Sequence, residues 1–199
     1  MKLLLATRNG AKLQELRRIL EPLVEVDVVG LDDVPAYAEV PETGATFEEN
    51  ALIKAREAVA RTGLPAVADD SGLTVAALNG MPGVLSARWA GSAASDEANL
   101  RLVLEQIADV PDSRRNATFE CAAVLVTPAG AEQSVRGTMS GTLLRAPRGT
   151  NGFGYDPIFV PAGDTRTTAE MSPEEKDAIS HRGRAFRTLA PLIAATLTP

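Results

Sequence analysis

The order of the hydrophobic patterns constrains this fold more than any other feature. The first half of the chain alternates short apolar runs with stretches of helical period, and the second half carries two long runs of strand character around a turn. Residues 2–6 read as a short buried strand. Thr7-Arg8-Asn9-Gly10 turns the chain into a helix over residues 11–20, with Leu13, Leu16, Ile19 and Leu20 on one face. Residues 24–29 alternate as a second strand, and residues 35–44 form a loop. Thr46 with Glu49 matches a capping box that opens a helix, Phe47, Ala51, Ala55 and Ala58 share its apolar face, and Gly63 closes it. Residues 65–68 are a strand broken by Asp69-Asp70-Ser71-Gly72, the apolar run resumes over 73–78, and turns follow at 79–83.

A helix over residues 95–107 buries Leu100, Val103, Leu104 and Ile107. Residues 118–127 and 132–140 face each other across Pro128-Ala129-Gly130 as a hairpin that Leu143-Leu144 extends. A brief strand covers 158–160. Ser172-Pro173-Glu174-Glu175 supplies an N-cap, an N1 proline and an N3 glutamate for another helix. A last helix starts near Ser180, with Phe186, Leu189 and Ile193 inward and Pro191 as a kink or early stop. Strands and helices first alternate and then turn hairpin-like, so the class is α/β or α+β.

At 199 residues the chain suits one domain, or two small lobes sharing a core. A net charge of -6 disfavours a general nucleic-acid binder, because an acidic surface repels polyanions. The single cysteine, Cys121, and single histidine, His181, exclude an internal disulfide, a Cys-rich metal site and a multi-His centre. No apolar run approaches a membrane span and none resembles a signal segment, so the chain reads as soluble and cytoplasmic.

Four segments are candidates for chemistry. Thr7-Arg8-Asn9-Gly10-Ala11-Lys12 joins a strand to a helix start, where free N–H groups and two cations suit a phosphate, although an ordinary strand-helix turn with exposed cations has the same composition. Adjacent carboxylates at Asp69-Asp70, with Ser71 beside them, suit Mg²⁺ and a phosphate oxygen, and equally a solvated turn. The run Gly149–Pro157 packs Phe153 and Tyr155 among three glycines, in a chain of only five Phe, two Tyr and one Trp. Such a loop can bring backbone and an aromatic ring against a base, with Asp156 accepting from ring N–H groups, or can plug the core. Lys176 and Ser180-His181-Arg182-Gly183 gather cations at a helix start, read alone as a solvated basic segment. Asn50, Lys54, Glu57 and Arg61 form a polar stripe of the kind that usually faces solvent. Cys121 lies in an apolar strand and Trp89 beside Arg88; both read as structural. Taken together, the segments suggest a nucleotide with several phosphates.

The same residues resemble the inosine triphosphate pyrophosphatase family. The matching segments are Ala6-Thr7-Arg8-Asn9 with Lys12, Glu42-Thr43-Gly44 with Thr46-Phe47-Glu48-Glu49-Asn50-Ala51, Ala68-Asp69-Asp70-Ser71-Gly72-Leu73, Pro82-Gly83-Val84-Leu85-Ser86-Ala87-Arg88, Gly152-Phe153-Gly154-Tyr155-Asp156-Pro157, and Glu175-Lys176 through Ser180-His181-Arg182-Gly183. They occur in the family's order from residue 3 to about residue 187. Arg8 and Asn151 stand where many members have glycine; Arg8 adds a candidate phosphate contact, and Asn151 tolerates left-handed backbone angles.

The resemblance implies one α/β domain over residues 1–199, a mixed sheet with flanking helices in two lobes around a central cleft, and a homodimer. It implies Mg²⁺-dependent hydrolysis of dITP, ITP, XTP and dXTP to the monophosphate and pyrophosphate. It gives Asp70 and Lys54 catalytic roles, and Asp70 and Glu42 the metal. Substrate contacts fall to Thr7, Arg8, Asn9, Gly10, Ala11, Lys12, Ser71, Phe153, Gly154, Tyr155, Asp156, Lys176, His181 and Arg182. Asn50 and Lys54 then face the cleft rather than solvent, while Asp69 either binds metal or orients its loop. A donor such as Arg182 or a backbone N–H would read the 6-oxo group of the base. A Maf-like pyrophosphatase of other base preference, and a nucleotide-binding regulator without catalysis, are the rival readings.

Overall fold

The computed structural model describes residues 2–38, 40–93 and 95–197. Strands β1 (Lys2–Leu5), β2 (Asp27–Val29), β3 (Ala66–Val75), β4 (Asn116–Val126), β5 (Glu132–Leu143) and β6 (Phe159–Pro161) form one sheet in the order β2-β1-β3-β4-β5-β6. β1 pairs parallel with β2 and β3, and β5 pairs antiparallel with β6, so the sheet is mixed, as the family resemblance implies. The helices are α1 (Gly10–Leu20), α2 (Phe47–Thr62), α3 (Asp96–Gln106), α4 (Pro173–Ile179) and α5 (His181–Leu197). None of the described helices is long and apolar enough to cross a membrane.

The chain divides into two compact units. The first comprises residues 1–70, 121–137 and 182–199; the second comprises 71–120 and 138–181. The strand period of two builds the first unit's core as two layers. Leu3, Leu5, Cys121, Ala123 and Leu125 pack with Leu16, Leu20, Phe186, Leu189 and Ile193 of α1 and α5. Leu4, Ala6, Val124 and Val126 point the other way, onto Ala51, Ala55 and Ala58 of α2. In the second unit, Leu73, Val75, Leu100, Val103, Ile107, Phe119, Tyr155 and Phe159 form one cluster.

Four local expectations change. β3 does not break at Asp69 but runs unbroken from Ala66 to Val75, because cations and an amide from other segments pair with the two carboxylates and override their turn preference. β2 is three residues long rather than six, its pairing limited to Lys2, Leu3 and Leu4 of the short β1. The Thr46 hydroxyl caps Glu49 N–H as expected, but the Glu49 carboxylate accepts from Ala45 N–H, so the reciprocal bond lands one residue early. Pro191 does not stop α5, which packs through Leu189, Ile193 and Leu197 on both sides of it.

Candidate functional site

In the first unit, Asn9 caps α1. Its side chain accepts from Lys12 N–H at 3.1 Å, and its own N–H donates to the Thr7 hydroxyl at 3.2 Å. This turn aims the first N–H groups of α1, at Gly10 and Ala11, out of the helix end. It also sends the Lys12 ammonium to Asp69, 3.2 Å away. Asp69 is 2% exposed and its Oδ2 also accepts from Arg182 at 3.3 Å. Arg182 is 1% exposed and its third nitrogen donates to the Glu15 carboxylate.

Asp70, the next residue of β3, points to the opposite face, as a strand requires. Its Oδ2 accepts from Asn50 at 3.1 Å and its Oδ1 from Lys54 at 3.2 Å. Lys54 Nζ also reaches Glu42 Oε1 at 3.1 Å. Two carboxylates from separate segments therefore converge on one cation. Asn50 and Lys54, one helical turn apart on α2, form the face that brings them there, so the stripe on that helix is not uniformly solvated; Glu57 and Arg61 further along it pair with each other.

The neighbouring aspartates are driven in opposite directions. Burial alone would raise Asp69, but Lys12, Arg182 and Lys54 outweigh it and hold the carboxyl well below the usual range. Burial dominates at Asp70, adding to Glu42's repulsion; the pull of Lys54 and Lys12 and the Asn50 hydrogen bond do not cancel it, so its pKa rises. Lys54 would be lowered by burial, yet Asp70, Asp69 and Glu42 raise it and keep it charged. One aspartate is thus an anchored anion and the other is poised toward proton exchange. Cys121 approaches Asp69 Oδ2 at 3.9 Å; burial pushes its thiol up, so it stays neutral, in keeping with its structural reading.

In the second unit, Asp156 is the hub of the Gly-rich loop. Its Oδ2 accepts from Phe153 N–H at 2.9 Å and from Lys176 Nζ at 2.6 Å, and its Oδ1 accepts from Thr168 Oγ1 at 2.8 Å. Those bonds hold the loop together and give Asp156 a shaping role. Gly152 has φ +74°, and a Cβ there would overlap the Asp156 carboxylate, which accounts for the glycine. Lys176 also lies 4.9 Å from the Phe153 ring centroid. Gly154 N–H donates to Asp96 at 2.8 Å. Tyr155 is buried and its hydroxyl donates to the Ser86 carbonyl at 2.8 Å, a post under the loop. His181 is buried and stacks on Phe119, centroids 4.8 Å apart. Ser71 is half-buried on β3. Asn151 needs no left-handed angle, since Asn79 is the one non-glycine residue of positive φ among the described residues; its side chain donates to the Met171 carbonyl instead.

This geometry carries the motifs singled out in the sequence, and the chain as a whole is similar to known proteins. The sequence matches the Ham1 family over residues 3–192. This chain belongs to the Ham1 family. A relative from Mycobacteroides abscessus, named dITP/XTP pyrophosphatase, is 60% identical over 195 residues, 97% of this chain and 95% of that protein. One of the same name from Nocardia farcinica is 61% identical over 196 residues, covering 98% and 95%. The crystal structure of the nucleoside-triphosphatase / dITP/XTP pyrophosphatase from Mycobacterium abscessus matches with a TM-score of 0.78 and 62% identity, covering 96% of this chain and all of that one. The Staphylococcus aureus Ham1 protein matches with a TM-score of 0.87 and 37% identity, over 98% and 100%.

Within this Ham1-family chain, sequence reading missed Glu15, Ser86, Asp96 and Thr168. Glu15 sits on α1 three residues after Lys12, on the same side of the helix, a spacing that flags it once Lys12 is suspected. Ser86 takes Leu73 N–H at 2.9 Å and donates to the Gly83 carbonyl at 2.7 Å, which fixes the strand just beyond Gly72. Asp96 and Thr168 carry no sequence signal, because their partners come from distant segments.

Proposed function

We propose that this chain hydrolyses dITP, ITP, XTP and dXTP to the monophosphate and pyrophosphate, removing deaminated purines from the nucleotide pool. The chain is a nucleoside triphosphate pyrophosphatase of the Ham1 family, and relatives 60% and 61% identical to it bear the name dITP/XTP pyrophosphatase. The observation that carries the mechanism is the convergence of Glu42 and Asp70 on Lys54 in a partly buried setting.

That convergence fits Mg²⁺. Two hard carboxylates from separate segments already share one cation, and among the described residues no group of three or more His, Cys, Asp or Glu gathers to close a site. Magnesium characteristically takes one or two carboxylates and leaves its other positions to water and phosphate. Glu42 and Asp70 would hold it, and it would offset triphosphate charge that a protein of net charge -6 repels.

The chain's own groups do the rest. The N–H groups of Gly10 and Ala11 at the α1 start receive phosphate oxygens, and Lys12 and Lys54 neutralise charge that develops on them. Asn50 fixes one oxygen of Asp70, so that the carboxylate meets a water at a set angle and takes its proton. The water oxygen bonds to the α-phosphorus, the bond from that phosphorus to the bridging oxygen breaks, and pyrophosphate leaves with no covalent intermediate. Asp69, Arg182 and Glu15 hold Lys12 in place, so Arg182 supports the phosphate end through Asp69. Within the second unit, Phe153, Gly154, Lys176 and His181 are the candidate base contacts, with Tyr155 and Asp156 shaping their loop. A backbone N–H meeting the 6-oxo group would reject adenine's amino group, a mismatch that discriminates by up to ~10⁴-fold. The same reading makes the protein a cytoplasmic homodimer without nucleic-acid or membrane partners.

The test is a panel of dITP, ITP, XTP, dATP, dGTP and dTTP with Mg²⁺, assaying pyrophosphate and orthophosphate separately. Pyrophosphate from the inosine and xanthosine forms is expected. Orthophosphate release, or preference for a pyrimidine, would overturn the mechanism or the base assignment.

A further inference from the structure

Arg8, exposed in the 7–10 turn, has a partner within the chain. Its Nη2 donates to the Tyr37 carbonyl at 2.6 Å, and its guanidinium carbon lies 5.5 Å from the Tyr37 ring centroid. Tyr37 itself packs against the core layer that contains Ala51, Ala55 and Ala58. A planar guanidinium can donate and lie over a ring at once, which glycine cannot do. Five residues beyond Tyr37 comes Glu42, bonded to Lys54. Beyond it, Gly44 N–H donates to Asn50 Oδ1 at 2.8 Å and Ala45 N–H to the Glu49 carboxylate at 2.7 Å. The loop that delivers Glu42 is therefore stitched to α2 at its far end, and to the 7–10 turn at its near end through Arg8.

We propose that Arg8 is a positioning residue: a strap between the phosphate turn and Tyr37 that sets where Glu42 stands relative to Asp70 and Lys54. The charge-assisted bond to the carbonyl is the stronger contact, and the ring contact adds to it. The strap itself stands on geometry alone; its effect on metal affinity rests on the reading of Glu42 as a metal ligand.

Two measurements on the full chain test it. The first is amide exchange at Gly44 and Ala45 in the metal-free protein. The second is the Mg²⁺ concentration for half-maximal activity, beside KM at saturating Mg²⁺. Arg8→Gly is expected to speed exchange and raise the Mg²⁺ requirement roughly three- to tenfold, the scale of a charged hydrogen bond plus a ring contact at the surface, with KM moving less than about twofold. Tyr37→Leu, which removes the ring but keeps the carbonyl, should show the smaller part of both effects, and Tyr37→Phe should match the parent. Unchanged exchange in Arg8→Gly overturns the strap. A rise in KM of about tenfold at saturating Mg²⁺ with unchanged exchange would make Arg8 a phosphate ligand instead. Absence of pyrophosphatase activity in the parent would sink the functional reading, while the exchange comparison would still decide the strap.

Discussion

Each unit buries an aspartate against a cation, and the two do different work. Asp69 is held by Lys12 and Arg182, with Glu15 behind Arg182, so the charges of that network come from α1, β3 and the start of α5. Asp156 is held by Lys176, by Thr168 and by the backbone of its own loop. The first network balances charge across distant segments, while burial and Glu42 leave the neighbouring Asp70 with a raised pKa. The second folds a short segment into one shape. The comparison shows that a buried ion pair says little until its remaining partners are counted. With charged partners it sets electrostatics, and with backbone partners it sets conformation.

The sharpest way to break this contrast is inside the first network. Asp70→Asn keeps the shape and the Asn50 contact and removes the proton acceptor. Turnover should fall by about 10²–10⁴-fold, the usual worth of a positioned base, while the denaturant midpoint stays near that of the parent, because Glu42 still pairs with Lys54. Near-normal turnover at saturating Mg²⁺ would show that Asp70 is not the base.

Asp69→Asn should do the reverse and act on stability, costing about 3–5 kcal/mol in denaturant unfolding by leaving Arg182 and Lys12 short of a buried counter-charge. The pH sign follows from its lowered pKa. The stability Asp69 supplies is fully present above the ordinary aspartate value of about 3.9 and drains as pH falls toward its lower folded value. The deficit of the variant should therefore hold steady at neutral pH and shrink in acid. A constant deficit down to strongly acidic pH would contradict the anchored-anion reading.

In the second unit, Gly152→Ala combines a positive φ with a Cβ overlapping the Asp156 carboxylate. It should cost roughly 1–3 kcal/mol and raise KM for the triphosphate more than it lowers kcat. The smallest effect is expected from Tyr155→Phe, which removes only the hydroxyl's bond to Ser86. About 0.5–1.5 kcal/mol of stability and a modest rise in KM should follow, measured by denaturant unfolding and steady-state kinetics. A loss of turnover instead would move Tyr155 from post to reacting group.

Much of this was legible along the chain. The motifs at residues 7–12, 69–72 and 152–157 carry their residue types in a fixed order, and the apolar faces of α1 and α2 follow the helical period. Roles that depend on one side chain's partners were not legible. Composition does not reveal that Asp156 bonds Lys176 and Thr168, that Tyr155 bonds the Ser86 carbonyl, or that Arg182 bonds Asp69 and Glu15. Asp69-Asp70 looked like a turn because local preference cannot anticipate two lysines, an arginine and an asparagine arriving from other segments.

The sequence by itself determined the mixed class, the strands' alternating faces, most of the caps and the identity of the chemical groups, since all of these depend on neighbours within a few residues. Only the tertiary structure decided which aspartate is anchor and which is poised, where Arg8 reaches, and that Glu15 belongs to the network. Those outcomes rest on burial and on charges brought together from distant parts of the chain, and electrostatic strength depends on both.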